Sequence, residues 1–276
     1  MLPNILIPLA LFMATMSQPP LPDSVPATDR LCSLQNTAYQ PGEKMVFKFY
    51  YNWKAFWLSA GEMVFKVDTT ALQGKEAWHL RVDGATYKSY EWFYRVRDVY
   101  ESYIDPQTQQ PYRFARDVNE GGFIIKERYD FSPADDKVFT HNYKQEPVQR
   151  DTFGINPCVH DVVSAIYYAR NIDYSKYQPG DKIPIDVFID KKVYNLYIRY
   201  VGRTEVKTKL GKFDTYMIKP LLVDNDYFDG GEEMTLYVTA DNNQIPVRIE
   251  SPLTVGWVKV DLISYGGLRH PFEARL

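Results

Sequence analysis

The phrase Tyr39-Gln-Pro-Gly-Glu-Lys44 returns as Tyr177-Gln-Pro-Gly-Asp-Lys182, a shift of 177 − 39 = 138 positions. A second phrase, Asp105-Pro-Gln-Thr-Gln-Gln-Pro-Tyr-Arg113, is echoed by Asp241-Asn-Asn-Gln-Ile-Pro-Val-Arg248, a shift of 248 − 113 = 135. Two turn signatures recurring at nearly one offset predict a β-rich unit present twice. In the first, Pro presets φ and Gly supplies a positive φ, so the chain turns before a strand begins. Strands are expected at Met45–Tyr51 and Ile183–Ile189. The second reads as a hairpin in each copy: Tyr100–Ile104 returning at Pro111–Ala115, and Met234–Val238 returning at Ile245–Glu250. Pro is tolerable at the start of a return strand, where no ladder donor is needed.

The stretches between alternate in the same way. Ser59–Asp68, Ala77–Val82, Trp92–Tyr100, Phe123–Phe131 and Val138–Tyr143 read as strands in the first half. Val193–Tyr200, Thr204–Lys209, Phe213–Pro220 and Val255–Ser264 do so in the second. Aromatic residues make up 15% of the chain, with 22 Tyr, and such residues suit pleated, half-buried surfaces. One segment differs. Cys158–Asn171 carries Val159, Val162, Val163, Ile166 and Tyr167 at helical spacing, with Pro157 at its start. The expected fold is mainly β: antiparallel, barrel-like or half-barrel sheets in two related halves, with one central helix near 158–171. The halves are set at 32–156 and 157–276, forming one continuous unit.

Residues 2–16 are nearly all apolar, too short for a transmembrane helix and interrupted by Pro8, and read as the apolar core of an export signal spanning 1–17. The Pro-rich stretch 18–31 reads as an extended linker. In an exported chain, Cys32 and Cys158 are a candidate disulfide, with two unpaired thiols as the alternative. The net charge of −3 leaves no basic footprint for nucleic acid.

Chemistry is sparse. The four histidines show no metal-ligand spacing. Cys158-Val-His160-Asp161 is the densest reactive cluster, yet on a helix Cys158 and His160 would lie about 200° apart. The acidic run 224–233 departs from an EF-hand at Phe228 and Thr235. Glu62 and Asp98 could serve a glycosidase only if the fold brought them together. No phosphate loop, nucleophile elbow or dinucleotide fingerprint occurs, so no catalytic residue, metal or cofactor is assigned. The richest aromatic cluster is Tyr50, Tyr51, Trp53, Phe56 and Trp57. Tyr50, Trp53, Phe56, Trp57 and Trp92 are the candidates for lining a ligand groove, against the alternative of ordinary core and rim.

Several phrases also resemble an uncharacterised family of exported bacterial proteins with a YmcC-like fold, with members in Bacteroides-type bacteria. They are Pro41-Gly42-Glu43, Ala60-Gly61-Glu62, Asp161-Val-Val-Ser-Ala-Ile-Tyr-Tyr-Ala-Arg170, Gly211-Lys-Phe213, and Asp241 with Pro246-Val-Arg248. The resemblance spans about residues 39–265. It implies a β-rich protein of the periplasm or cell envelope, and supplies no catalytic residue. The expectation is a non-catalytic binder of an amphipathic lipid or glycan. The alternatives are an enzyme on surface polysaccharide and a structural or assembly partner of an envelope complex.

Overall fold

The computed structural model describes residues 34–53, 56–92, 94–222, 231–253 and 256–276, without the side chains of Trp53 and Phe56. The expected export segment, the Pro-rich linker, Cys32, Phe93 and most of the acidic run 224–233 lie outside the described residues.

The first eight strands form a meander: β1 (Lys44–Trp53), β2 (Phe56–Leu72), β3 (Lys75–Thr86), β4 (Val96–Ile104), β5 (Pro111–Glu120), β6 (Phe123–Ser132), β7 (Lys137–Asn142) and β8 (Gln149–Gly154). The one α-helix among the described residues follows, α1 (Val162–Ala169). A second meander completes the fold: β9 (Lys182–Ile189), β10 (Lys192–Thr208), β11 (Gly211–Pro220), β12 (Thr235–Thr239), β13 (Pro246–Pro252) and β14 (Trp257–Gly266). All fourteen strands belong to one sheet of order β8-β7-β6-β5-β4-β3-β2-β1-β14-β13-β12-β11-β10-β9. The meanders join where β1 pairs antiparallel with β14, from Lys44↔Gly266 to Asn52↔Trp257.

The two echoed phrases do the same work in both meanders. Each Pro-Gly turn opens the first strand, β1 or β9. Gly42 (φ 90°) and Gly180 (φ 104°) take the positive φ that the turn requires. Gly42 donates to the Val67 carbonyl and Val67 donates back to Glu43; Gly180 donates to Tyr200 and Tyr200 donates back to Asp181. Each Asp turn joins the fourth strand to the fifth, β4 to β5 and β12 to β13. Asp105 Oδ1 accepts from the Gln107 and Thr108 amides, and Asp241 Oδ1 from those of Asn243 and Gln244. The second strand is 17 residues long in both. The duplication is thus legible down to individual hydrogen bonds.

Burial alternates along the strands, most plainly in β4, where Val96, Asp98, Tyr100, Ser102 and Ile104 are buried and the residues between them are partly exposed. The inner face builds an aromatic core. Phe114 packs on Tyr129 at 5.4 Å, and Tyr129 on Phe188 at 5.3 Å. Among the described residues the ladder does not close between edge strands β8 and β9; side chains span that gap. Phe188 meets Phe153 at 5.9 Å, Lys191 Nζ reaches Asp151 at 2.7 Å, and buried Arg116 reaches Asp190 at 2.5 Å. The edge of β9 is also covered by backbone. His160 donates to Asp186 O and accepts from the Phe188 amide, which caps an otherwise exposed ladder.

The strands expected at Val193–Tyr200 and Thr204–Lys209 run together as β10, and β2 extends past Ser59–Asp68 at both ends. Two further boundaries move. The helix begins at Val162 rather than Cys158, because residues before Asp161 are spent on β9 and because Asp161 is the better cap. Its carboxylate accepts from the Val163 and Ser164 amides at 2.8 and 2.9 Å, and Ser164 Oγ completes the capping box. β4 begins at Val96 rather than Trp92. A short turn over Lys88–Tyr90, continued by the Tyr94 amide donating to Tyr90 O, holds Trp92 in the connecting loop.

Candidate functional site

The helix sequence Val-Val-Ser-Ala-Ile-Tyr-Tyr-Ala has little polar surface, so α1 suits the interior and sits there; only Ile166 and Ala169 stay partly exposed. Its ends are pinned by polar groups. At the start, Ser102 Oγ of β4 donates to Asp161 Oδ2 at 2.6 Å. At the end, Arg170 grips Glu43 through two bonds of 2.5 and 2.9 Å and donates twice to the Asn243 carbonyl. Its guanidinium lies 5.4 Å from the Tyr39 and Tyr167 ring centres. Asn171 accepts from the Thr37 and Ala38 amides and donates to Gln109. The Pro-Gly turn of the first meander and the Asp turn of the second therefore meet on one arginine at the helix end.

Between α1 and β9–β13 lies a cleft of about 90 Å³. One wall is the helix face Val162, Ala165, Ile166 and Ala169. The other is formed by Ile185, Leu196, Ile198, Ile218, Leu236 and Val238. Ala165 and Ala169, four residues apart, fall on the same helix face, and their small side chains leave the gap open. Arg170 borders the cleft but is held by Glu43 and Asn243. Tyr197, also on the lining, donates to Glu232. The cleft therefore offers an apolar slot with few hydrogen-bonding groups.

A second unusual group sits deep in the first meander. Asp98 and Glu120 are 2% and 5% exposed, and Asp98 Oδ2 and Glu120 Oε1 lack a hydrogen-bond partner among the described atoms. Burial and the adjacent Asp98 charge push Glu120 up to about 9, and burial also raises Asp98. The arrangement is a carboxyl pair holding a proton.

The aromatic residues expected to line a groove are not gathered around the cleft. Tyr50 is buried, with Lys259 Nζ 5.2 Å from its ring; the same ammonium lies 4.6 Å from the Trp57 ring. Trp57 is half exposed and Trp92 is 84% exposed, in a neighbouring turn. Trp53 and Phe56 contribute backbone to the β1–β2 pairing, and their side chains lie outside the description. Cys158 is disulfide-bonded, so it presents no thiolate, and Cys32 lies outside the described residues. His160 is fully buried, 4.3 Å from the Tyr168 ring, and burial drives it down to about 3, a neutral imidazole. Glu62 accepts from Tyr87 at 2.6 Å and does not join Asp98. His79 binds Glu101 at 3.0 Å and stacks on Tyr103. In the sequence the cleft residues read as helix and strand positions and not as a site; the Ala165/Ala169 pair is the one signal that marks them.

A family model described as protein of unknown function, DUF3108, matches residues 46–263. The chain belongs to that family. The DUF3108 match spans β1 to β14 and so includes both meanders and α1. No curated protein matches the chain. Among solved structures, a β-barrel-like protein of the DUF1849 domain of unknown function from Brucella abortus is similar at a TM-score of 0.57 and 10% identity, covering 84% of this chain and 99% of that one. A protein with a YmcC-like fold from Bacteroides fragilis, described as a putative exported protein, aligns at 0.33 and 12%, covering 85% and 100%. A protein from Parabacteroides distasonis, described as a putative lipoprotein, aligns at 0.32 and 13%, covering 85% and 99%. The DUF1849 likeness concerns the fold, and the barrel-like character expected from the strand pattern holds.

Proposed function

We propose that this chain is an exported envelope protein that holds a single acyl chain of an amphipathic molecule in the cleft between α1 and β9–β13, without catalysing its conversion. The observation that carries the reading is the cleft itself, walled by aliphatic side chains from both the helix and the sheet. Its lining selects among occupants. The aliphatic walls suit methylenes, and a cleft of about 90 Å³ takes part of an acyl chain rather than its whole length. A glycan would need polar partners, and Arg170 and Tyr197 are already committed. Of lipid and glycan, the lipid is therefore favoured.

The test is titration of the delipidated protein with cis-parinaric acid, whose emission rises on entering an apolar site. Saturable binding is expected, weakened about tenfold in Ala169→Phe, which fills the slot. Overpacking can cost about 1–3 kcal/mol, so the melting temperature is measured alongside. Undiminished binding in a folded Ala169→Phe protein would remove the cleft from the account.

A further inference from the structure

In an antiparallel meander, alternate connections lie at the same end of the sheet. Taken in sheet order from β8, the connections at one end are β7–β8, β5–β6, β3–β4, β1–β2, β13–β14, β11–β12 and β9–β10. Each of the first five carries, in its turn or within two residues of it, an exposed large hydrophobic residue: Tyr143, then Phe123 with Ile124, Trp92, Trp57 and Trp257. Six of the eight exposed large hydrophobic residues among the described residues lie on this one rim; Phe139 and Leu276 lie elsewhere. Trp92 at 84%, Phe123 at 60% and Trp257 at 52% exposure are costly to leave in water, and contiguous exposed apolar surface marks a contact site.

Charge identifies the contact. Cations stand among the rings. Lys259 Nζ lies 4.6 Å from the Trp57 ring and Lys144 Nζ 5.6 Å from Phe123. Lys88 and Arg95 flank Trp92 in the same connection, and the only acid between them, Glu91, is paired with Arg97. Indoles and phenol rings interleaved with lysine form the pattern that settles at the headgroup level of a bilayer. The strands themselves do not enter hydrocarbon, because the sheet surface carries ion pairs. His79 and Arg81 bind Glu101, and Arg113 and Arg128 bind Asp130. Such a surface is incompatible with a lipid-facing barrel wall.

We propose that this aromatic rim docks the protein on the surface of a membrane containing anionic lipid, with the ring edges among the headgroups and the sheet standing off the bilayer. The proposal does not need the cleft to hold an acyl chain.

The test is co-sedimentation of the protein with vesicles of phosphatidylcholine and phosphatidylglycerol in equal parts, against vesicles of phosphatidylcholine alone. Tryptophan quenching by brominated lipid is read in parallel. Expected results are preferential binding to the anionic vesicles, weakened by salt. The triple variant Trp57→Ala, Trp92→Ala, Trp257→Ala should lower the partition coefficient about tenfold or more. Phe139→Ala, exposed but off the rim, should bind as the parent does. The substituted side chains are exposed, so an unchanged melting temperature is expected for both. Failure to sediment with either vesicle, or equal sedimentation of the triple variant, would overturn the proposal. Equal binding to neutral vesicles that salt leaves unchanged would overturn the anionic-headgroup assignment. A concentration-dependent dimer abolished by the triple variant, without vesicle binding, would give the rim to a second copy of the chain and likewise overturn it.

Discussion

At the residue scale, the buried carboxyl pair makes a specific demand on pH. Glu120 titrates near 9 in the fold, against an ordinary value of 4.5. The folded state therefore binds the proton more tightly than the unfolded state, so the stability this group contributes is complete below about 4.5 and is lost as pH rises toward 9. His160 works in the opposite sense. Its folded value near 3 lies below the ordinary 6.5, so its contribution is present above about 6.5 and is lost on acidification. Between pH 7 and 9 the Glu120 effect should be separable, with stability falling by up to about 1.4 kcal/mol per pH unit. In Glu120→Gln that slope should flatten. Denaturant midpoints across the window decide it, and parallel slopes in the two proteins would show that Glu120 is not the titrating group. Residue pairing of this kind was not legible in the sequence. The sequence suggests Glu62 as a partner for Asp98, whereas its neighbour is Glu120, which the β4–β5 register brings close by pairing Asp98 with Val118. Glu43, Arg170 and Asp241 each belonged to phrases that stood out, but that the turns holding Glu43 and Asp241 would converge on Arg170 depends on contacts more than 70 residues apart in sequence.

At the element scale, α1 is the piece whose placement depends on most else. Local pattern identified it, because apolar spacing and a capping residue are short-range signals. Its true start was hidden, because the residues ahead of Asp161 are claimed by β9 through long-range backbone bonds. Cys158 lies in that approach and is disulfide-bonded. We propose Cys32, the chain's only other cysteine, as its partner and residues 1–17 as a removed export signal. Intact-mass measurement on protein from the native host addresses both. The expected species begins at Gln18 and is two hydrogens lighter than the reduced chain. Retention of Met1 would remove the export argument. Reduction should destabilise the fold by about 2–5 kcal/mol, and an unchanged midpoint after reduction would show that the bond does not restrain the α1 approach.

At the scale of the whole molecule, the duplicated meander was the most legible feature, since the same turn chemistry must be written twice to build the same turn twice. What the sequence did not convey is how the copies are joined. The seam that makes them one unit is β1 pairing along its length with β14. The helix between them buries against β3 and β4 of one copy and β9 of the other. The Glu43–Arg170–Asn243 contact then ties the first turn, the helix and the second meander together in a buried site. Neither copy can retain its folded surface alone. Removing 157–276 would strip β1 of β14, leave Glu43 as a buried unpaired charge and expose the inner faces of β3 and β4. Unfolding should accordingly be one cooperative transition, with fluorescence and circular dichroism midpoints that coincide. Fragments 32–156 and 157–276, expressed separately, should be largely unfolded or aggregated, and co-expression should restore a soluble complex. Arg170→Met provides the link to mechanism. It should lower stability by about 3–5 kcal/mol, the cost of leaving Glu43 unpaired in the interior, while the transition stays single. Two resolved transitions in the parent protein, or a folded isolated 32–156, would mean that the copies are separable domains and that the β1–β14 seam and the arginine tie do not couple them.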